Sequence, residues 1–353
     1  MAMAAVPTIV ELDDMGETPD NDLFSPDWAE RYQAQDTGCT LGRGSYTWRR
    51  YGFGSNINNM LNAWVYALAV KRWSDLAVIN DPKELRAVEC FAESSGHVAK
   101  GWSCLFTRMP HVCTFNSTES WVTRMETQGV SEGERETAAN LTLNAVRFSE
   151  DDIPDALDGL DVDHLGAMAV VATYLWSYMA PWLKDGVDTV THTGDVFEEA
   201  PFVGIHVRRG DKISTGEARS FETEEYLSAA ADYLENNEEG KTSVEEIKGI
   251  WVASDDPSIV EEARALAPAY FPNVDSQSIV SVAAGVPGGP ETRGGYAEFL
   301  YLFADLQQLA EADVFVGTFS SNLGRLLAVL REGRGKSRGS SRSLDTENWW
   351  PGR

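Results

Sequence analysis

Cysteine is scarce in this chain, bases are outnumbered, and long apolar runs are missing. Only four cysteines, Cys39, Cys90, Cys104 and Cys113, occur in 353 residues. All lie in the first third and none forms a C-x-x-C pair, so their spacing fits no structural zinc site. An even number allows two disulfides, against the alternative of reduced, buried thiols. Bases number 29 against 55 acids, a formal charge of −26. Such a surface repels DNA and RNA. No stretch is long and apolar enough to span a bilayer. Met1 to Pro26 has neither the basic start nor the apolar segment of a secretory signal, and reads as a flexible acidic tail. No Asp-x-Asp sits at a strand end and no His/Cys cluster occurs, so nothing in the sequence asks for a metal.

What is present describes a globular protein of about two domains, with 43% hydrophobic and 24% charged residues. Two glycosylation triplets, Asn116-Ser117-Thr118 and Asn140-Leu141-Thr142, lie near the cysteines and point with them to a secretory lumen. A glycine loop, Gly42 to Gly54, precedes apolar residues at helical spacing: Ile57, Met60, Leu61, Trp64, Val65 and Leu68. The first-turn amides of a helix starting near Asn56 lack partners and suit an anion. Leu76 to Ile79 reads as a strand, and Phe91 to about Glu150 as irregular and loop-rich. Residues 164–183 form one long helical pattern with Pro181 near its end.

After Pro201 strands and helices alternate. Strands are expected at 202–207, 248–253 and 314–316, and helices at 223–236, 257–266, within 292–312 and at 322–331. That rhythm implies a parallel, Rossmann-like sheet. Gly333 to Ser343 reads as a basic, solvent-facing loop. Three strand ends then become neighbours on one sheet edge. The first carries Arg208-Arg209-Gly210-Asp211-Lys212. Arginine forks match phosphate oxygens, and lysine adds a point charge. The second carries Ser254-Asp255-Asp256-Pro257, and the third Thr318-Phe319-Ser320-Ser321-Asn322. Serine hydroxyls and a helix start suit phosphate there, while Asp305 can accept from a base edge. Each loop alone is equally well explained as a turn or cap. Their order together favours a nucleotide diphosphate site.

These segments resemble the α1,6-fucosyltransferases. The resemblance rests on Gly204-Ile-His-Val-Arg-Arg-Gly-Asp-Lys212, Trp251-Val-Ala-Ser-Asp-Asp-Pro257 and Ala312-Asp-Val-Phe-Val-Gly-Thr-Phe-Ser-Ser321 with Arg325. Weaker matches are Gly52-Phe-Gly54, Pro181-Trp-Leu183 and Ser343-Leu-Asp345. It implies an α/β, GT-B-like fold of two Rossmann-like halves with an inter-domain cleft. The corresponding layout is an acidic tail over 1–38, an acceptor-side domain with a bridging helix over 39–185, a GDP-sugar domain over 186–345 and a tail over 346–353. It also implies inverting transfer of L-fucose from GDP-β-L-fucose to a GlcNAc of an N-glycan or chitin-like oligosaccharide, without a metal, in the Golgi lumen.

By the same resemblance Arg208 meets the leaving pyrophosphate, Lys212 and Asp211 organise the loop, and Glu217 is the base. Glu217 lies one residue further from Lys212 than the family pattern, so Glu222 or Glu224 stand as substitutes. His206 and Asp305 would read guanine. Arg209, Gly52, Gly54, Ser320, Ser321 and Arg325 would line the donor site, with Asp255 and Asp256 supporting the nucleotide or the loop. An α1,2- or protein O-fucosyltransferase, or a non-catalytic glycan- or nucleotide-binding relative, remains open.

Overall fold

A computed structural model describes residues 44–47, 53–71, 76–79, 89–92, 97–100, 102–106, 157–158, 160–191, 197, 200–209, 219–236, 242–282 and 296–345. Cys39, Cys113, both glycosylation triplets, Gly52 and the segment 210–218 lie outside them.

The first described unit is β1 (Gly44–Thr47), α1 (Phe53–Lys71) and β2 (Leu76–Ile79). β1 and β2 pair in parallel from Gly44↔Leu76 to Thr47↔Ile79, which makes a βαβ unit. A hairpin of β3 (Glu89–Ala92) and β4 (His97–Lys100) follows where the sequence reads as loop, then a short α2 (Trp102–Leu105). Cys104 in α2 is buried and disulfide-bonded.

The long helix expected over 164–183 is two helices, α3 (His164–Ser177) and α4 (Pro181–Thr191). Tyr178 closes α3 by donating its N–H to Leu175 O at 3.2 Å, and Met179 N–H follows to Trp176 O at 3.1 Å. Ala180 N–H turns away to Leu105 O at 2.8 Å. Pro181 does not end a helix; it opens one, because the first helical position needs no amide donor.

The second half is built on a parallel sheet of β5 (Phe202–Val207), β6 (Gly249–Ser254), β7 (Ile279–Val280), β8 (Val314–Gly317) and β9 (Ser341–Ser343). Its spatial order is β7-β6-β5-β8-β9. The intervening helices are α5 (Thr223–Asn236), α6 (Ser258–Leu266), α7 (Tyr296–Glu311) and α8 (Asn322–Gly333). Residues 333–343, expected as a solvent-facing loop, instead end in β9, and Arg338 pairs with Asp163 and Glu332.

Strand alternation divides the core. Val203, Ile205, Val207, Ile250, Val252, Val314 and Val316 pack with α5 and α6 on one face. Phe202, Trp251, Ala253 and Phe315 join a second core containing α1, α3, α4, α7 and α8. Gly204 stands in register with Trp251 and Phe315 on that second face. A Cβ at Gly204 would come within 2.8 Å of Leu309 Cδ2 and 3.0 Å of Ala312 Cβ, so the glycine sets how closely α7 lies on the sheet.

Helix α8 crosses α3 closely, since a Cβ at Gly333 would lie 2.3 Å from Thr173 Oγ1. Polar groups tie α1 into the same stack. Asn58 Nδ2 donates to Asn322 O at 2.7 Å, and His164 Nε2 shares a 2.8 Å hydrogen bond with Asn62 Oδ1. Burial pushes His164 down to about 4, with Asp163 pulling the other way. It is therefore neutral at pH 7.

Candidate functional site at the strand tips

The sheet order reverses between β5 and β8. From β5 the chain runs outward through β6 and β7, then returns to lay β8 on the other side. The crevice beyond the carboxyl ends of these two strands is the place where open α/β sheets receive ligands.

Arg208 follows β5 directly. Its Nη1 lies 3.2 Å from Asp255 Oδ2, with both side chains partly accessible at 22% and 14%. Asp255 also accepts the Arg209 N–H at 2.9 Å. One carboxylate at the tip of β6 thus fixes two consecutive residues at the tip of β5. Ser254 adds a second clasp, its hydroxyl donating to Val207 O at 2.8 Å. Arg209 turns toward α5 and α6, pairing with Glu222 and Glu262 at 3.1 Å each. Its Nε has no partner among the described residues. Asp256 accepts from Ser258 N–H and Oγ, which holds its carboxyl below the ordinary range and starts α6.

His206 precedes Arg208 on the face shared with Gly204 and Trp251. It is buried, and its Nδ1 has no partner among the described residues. Burial, then the Arg208 charge, push it down to about 4, opposed by Asp255. The ring is neutral at pH 7, with nitrogens suited to hydrogen bonding rather than charge. On α7, Asp305 Oδ1 accepts Trp251 Nε1 at 2.8 Å. Burial raises its carboxyl to about 7, although the indole bond works against that shift.

Beyond β8 the chain turns through Thr318–Ser321 into α8. Phe319 N–H donates to Ser343 Oγ and Asp345 Oδ1, both at 2.9 Å. Ser320 donates its N–H and its hydroxyl to Asp345. Arg325 Nε holds Phe319 O at 2.6 Å from one turn into α8. Ser321 occupies the N-cap position of α8, yet its side chain makes no cap hydrogen bond. The first-turn amides of α8 carry the partial positive charge of a helix start.

Helix α1 brings a second helix start to the same place. A Cβ at Gly54 would lie 3.0 Å from Leu323 Cδ2 and 3.1 Å from backbone atoms of Asn322 and Leu323. A side chain here would push the two first turns apart by a few tenths of an ångström, so glycine permits their close approach. A ring of positive ends therefore borders the crevice: Arg208, the start of α8 and the start of α1. This arrangement attracts an anion. Among the described residues no group of three or more His, Cys, Asp or Glu is placed to hold a metal ion, and no helix is long and apolar enough to cross a membrane.

Residues 165–345 match the sequence profile of the alpha-(1,6)-fucosyltransferase N- and catalytic domains, just over half of the 353-residue chain. The chain belongs to the α1,6-fucosyltransferase family. It is 35% identical over 128 residues to the alpha-(1,6)-fucosyltransferase of Drosophila melanogaster, covering 36% of this chain and 19% of that protein. With the alpha-(1,6)-fucosyltransferase of Caenorhabditis elegans it shares 30% identity over 149 residues, 42% of this chain and 25% of the relative. The matches thus span a quarter or less of the relatives' own length. Among solved structures, the fucosyltransferase NodZ from Bradyrhizobium is similar with a TM-score of 0.44 at 15% identity, covering 82% of this chain and 94% of that one. POFUT1 in complex with GDP-fucose gives 0.44 at 14% identity, covering 85% and 97%.

In this α1,6-fucosyltransferase family member, the residues singled out in the sequence fall into three groups. Arg208, His206, Asp255, Ser321 and Gly54 come together at the strand tips and helix starts beside the β5–β8 crevice, while Asp305 on α7 is held by Trp251 of β6. Arg209, Asp256, Ser320 and Arg325 are engaged in bonds that shape the loops. Gly52, Asp211, Lys212 and Glu217 lie outside the described residues. Of the substitute bases, Glu222 is committed to Arg209 and Glu224 to Tyr270 OH at 2.8 Å. Asp345, which holds the Phe319–Ser320 turn, was noted in the sequence only as part of a weak match; its partners lie 25 and 26 residues away.

Proposed function

We propose that this protein is an inverting fucosyltransferase that moves L-fucose from GDP-β-L-fucose to a hydroxyl of a glycan, as an α1,6 link to a GlcNAc of an N-glycan or chitin-like oligosaccharide. The observation that carries this reading is the family match across residues 165–345, which contain every element of the β5–β8 crevice except α1.

The chemistry follows from the crevice. The acceptor oxygen attacks the anomeric carbon as the bond to the β-phosphate oxygen breaks, and the electron pair leaves on GDP. Negative charge grows on that oxygen, so fixed cations and helix amides that meet it lower the barrier. Arg208 does this, held in place by Asp255. The Ser321 hydroxyl and the starts of α8 and α1 cradle the phosphates. Neutral His206 and, once it has lost its proton, Asp305 accept from and orient the guanine edge. Glu217 takes the acceptor proton, with Lys212 and Asp211 ordering its loop. These groups supply charge stabilisation and proton transfer directly, and the reading assigns no metal. The disulfide at Cys104 supports a secretory, oxidising compartment such as the Golgi lumen.

Thermal shift with GDP, UDP and ADP tests the donor; stabilisation by GDP alone is expected. GDP release from GDP-fucose across N-glycan, chitin-oligosaccharide and peptide acceptors, with linkage analysis of the product, tests the reaction. Binding of GDP without turnover on any acceptor identifies a non-catalytic relative, and an α1,2 or peptide-linked product identifies a different fucosyltransferase.

A further inference from the structure

The turn between β8 and α8 is held from a distance by a carboxylate. Asp345 lies just past β9, the edge strand that pairs with β8 from Phe315↔Ser341 to Gly317↔Ser343. Leu344 N–H returns to Gly317 O at 3.0 Å, so the chain is still anchored to β8 when it reaches Asp345. From there the carboxylate bends over the turn. Its Oδ1 accepts Phe319 N–H at 2.9 Å and Ser343 Oγ at 2.8 Å. Its Oδ2 accepts Ser320 N–H at 3.3 Å and the Ser320 hydroxyl. Two successive backbone amides converging on one anion form a nest.

We propose that Asp345 is a positioning residue for donor binding: by filling the Phe319–Ser320 nest it directs Ser321 and the first turn of α8 at the diphosphate. The role rests on the GDP-sugar reading given above. Three observations place it there. Ser320 spends both its amide and its hydroxyl on Asp345, which leaves Ser321 as the serine of the turn that Asp345 does not engage. Ser321 sits at the N-cap without using its side chain as a cap. Finally, a Cβ at Gly324 would lie 2.1 Å from Thr318 O, so the turn held by Asp345 lies at backbone distance from the first turn of α8. Partial burial pushes the Asp345 carboxyl up, and the bonds from Ser320, Ser343 and Phe319 outweigh this, leaving it below the ordinary range and ionised at neutral pH.

The alternative role for the same geometry has the opposite sign. A carboxylate resting on amides that a phosphate itself needs would block the anion, and its removal would tighten binding. Calorimetry of GDP binding to the full chain separates the two. Asp345→Ala is expected to weaken GDP about tenfold, the scale of lost charge-assisted hydrogen bonds. Asp345→Asn, which keeps one acceptor oxygen, falls between. The KM for GDP-fucose rises with the dissociation constant while kcat changes less. Hydrogen exchange supplies a readout without ligand: the Phe319 and Ser320 amides lose protection in Asp345→Ala, and the α5 amides do not. GDP binding that Asp345→Ala leaves unchanged or tightens would overturn the positioning role alone. Failure of the wild type to bind GDP would overturn the donor reading and this role with it.

Discussion

At the amino edge of the second-half sheet, Arg331 is 1% exposed; at the carboxyl edge, the Arg208 side chain is 22% exposed. Every N–H of Arg331 has an acceptor. Nη1 reaches Leu309 O and Ala312 O, Nη2 reaches Asp313 O, Ser340 O and Ser340 Oγ, and Nε reaches Ser341 Oγ. It gathers the last carbonyls of α7 and the start of β9 around one cation, as the helix dipole favours. Burial pulls it down to about 10, so it stays charged at pH 7. Nearby, Asp313 Oδ2 accepts Phe202 N–H at 2.9 Å and fastens β5 to the same edge. At the other edge the polar inventory is incomplete. His206 Nδ1 and Arg209 Nε are buried with no partner among the described residues. One edge spends its polar groups on holding the sheet together, while at the other His206 Nδ1 is left without a partner among the described residues, next to Arg208. Buried unpaired groups are costly, so they accumulate where binding later satisfies them.

Substitutions should separate the two edges. The largest effect belongs to Arg331→Met, which keeps length and removes all donors. Several buried carbonyls lose their partner, and stability falls by about 3 kcal/mol or more in denaturant titration. GDP affinity of the remaining folded protein is unchanged. Next comes Arg208→Ala, which lowers turnover of GDP-fucose by about a hundredfold or more, with the thermal midpoint nearly unmoved. If Arg208→Ala instead unfolds the protein, the contrast between the edges disappears. Gly54→Ala lies between these behaviours, because the contact of α1 with α8 serves packing and site alike. The added Cβ costs about 1–3 kcal/mol, and GDP binding weakens in parallel.

The smallest effect is a pH dependence. Asp305 holds its proton to about pH 7 in the folded chain, whereas an unfolded aspartate releases it near pH 4. Folding therefore takes up a proton between those values. The stability from this group is complete below about pH 4 and is lost as pH rises toward 7. Asp305→Asn should flatten that slope by about one titrating group, as read by unfolding between about pH 4 and 7. Guanine binding runs the other way. Its N–H donors need an ionised carboxylate, so GDP affinity of the wild type should rise through about pH 7, and Asp305→Asn should not show the rise.

Much of the second half was legible because buried parallel strands are continuous apolar runs. Phe202–Val207 and Val314–Gly317 emerge close to where the sequence puts them, and so does α5. Edge strands gave no such signal. Ser341-Arg-Ser343 is polar because only one side of it is paired, and β7 is two residues long. Gly44–Thr47 has no apolar run to mark it, since Gly-Ser-Tyr-Thr is short and largely polar. The break between α3 and α4 was hidden because apolar spacing continues through Met179 and Leu183, while the bond from Ala180 to Leu105 is invisible in a linear pattern. At the site, the order of the three loops could be read, but the partners could not. That Asp255 clasps both Arg208 and Arg209, or that Ser320 faces Asp345, follows from strand neighbours far apart in the chain. The family resemblance rested on the same loops, and the profile match covers them.

The reversed strand order also governs how the protein comes off the ribosome. β5 acquires β6 as a neighbour after about forty residues of synthesis, yet its other flank waits for β8, more than a hundred residues on. Until then a fully buried central strand, apolar but for His206, presents one unpaired side, a template for rival chains. Closure of that flank is a long-range, late event, and slow elongation or a lesion between α6 and β8 should show itself first as aggregation of nascent chains.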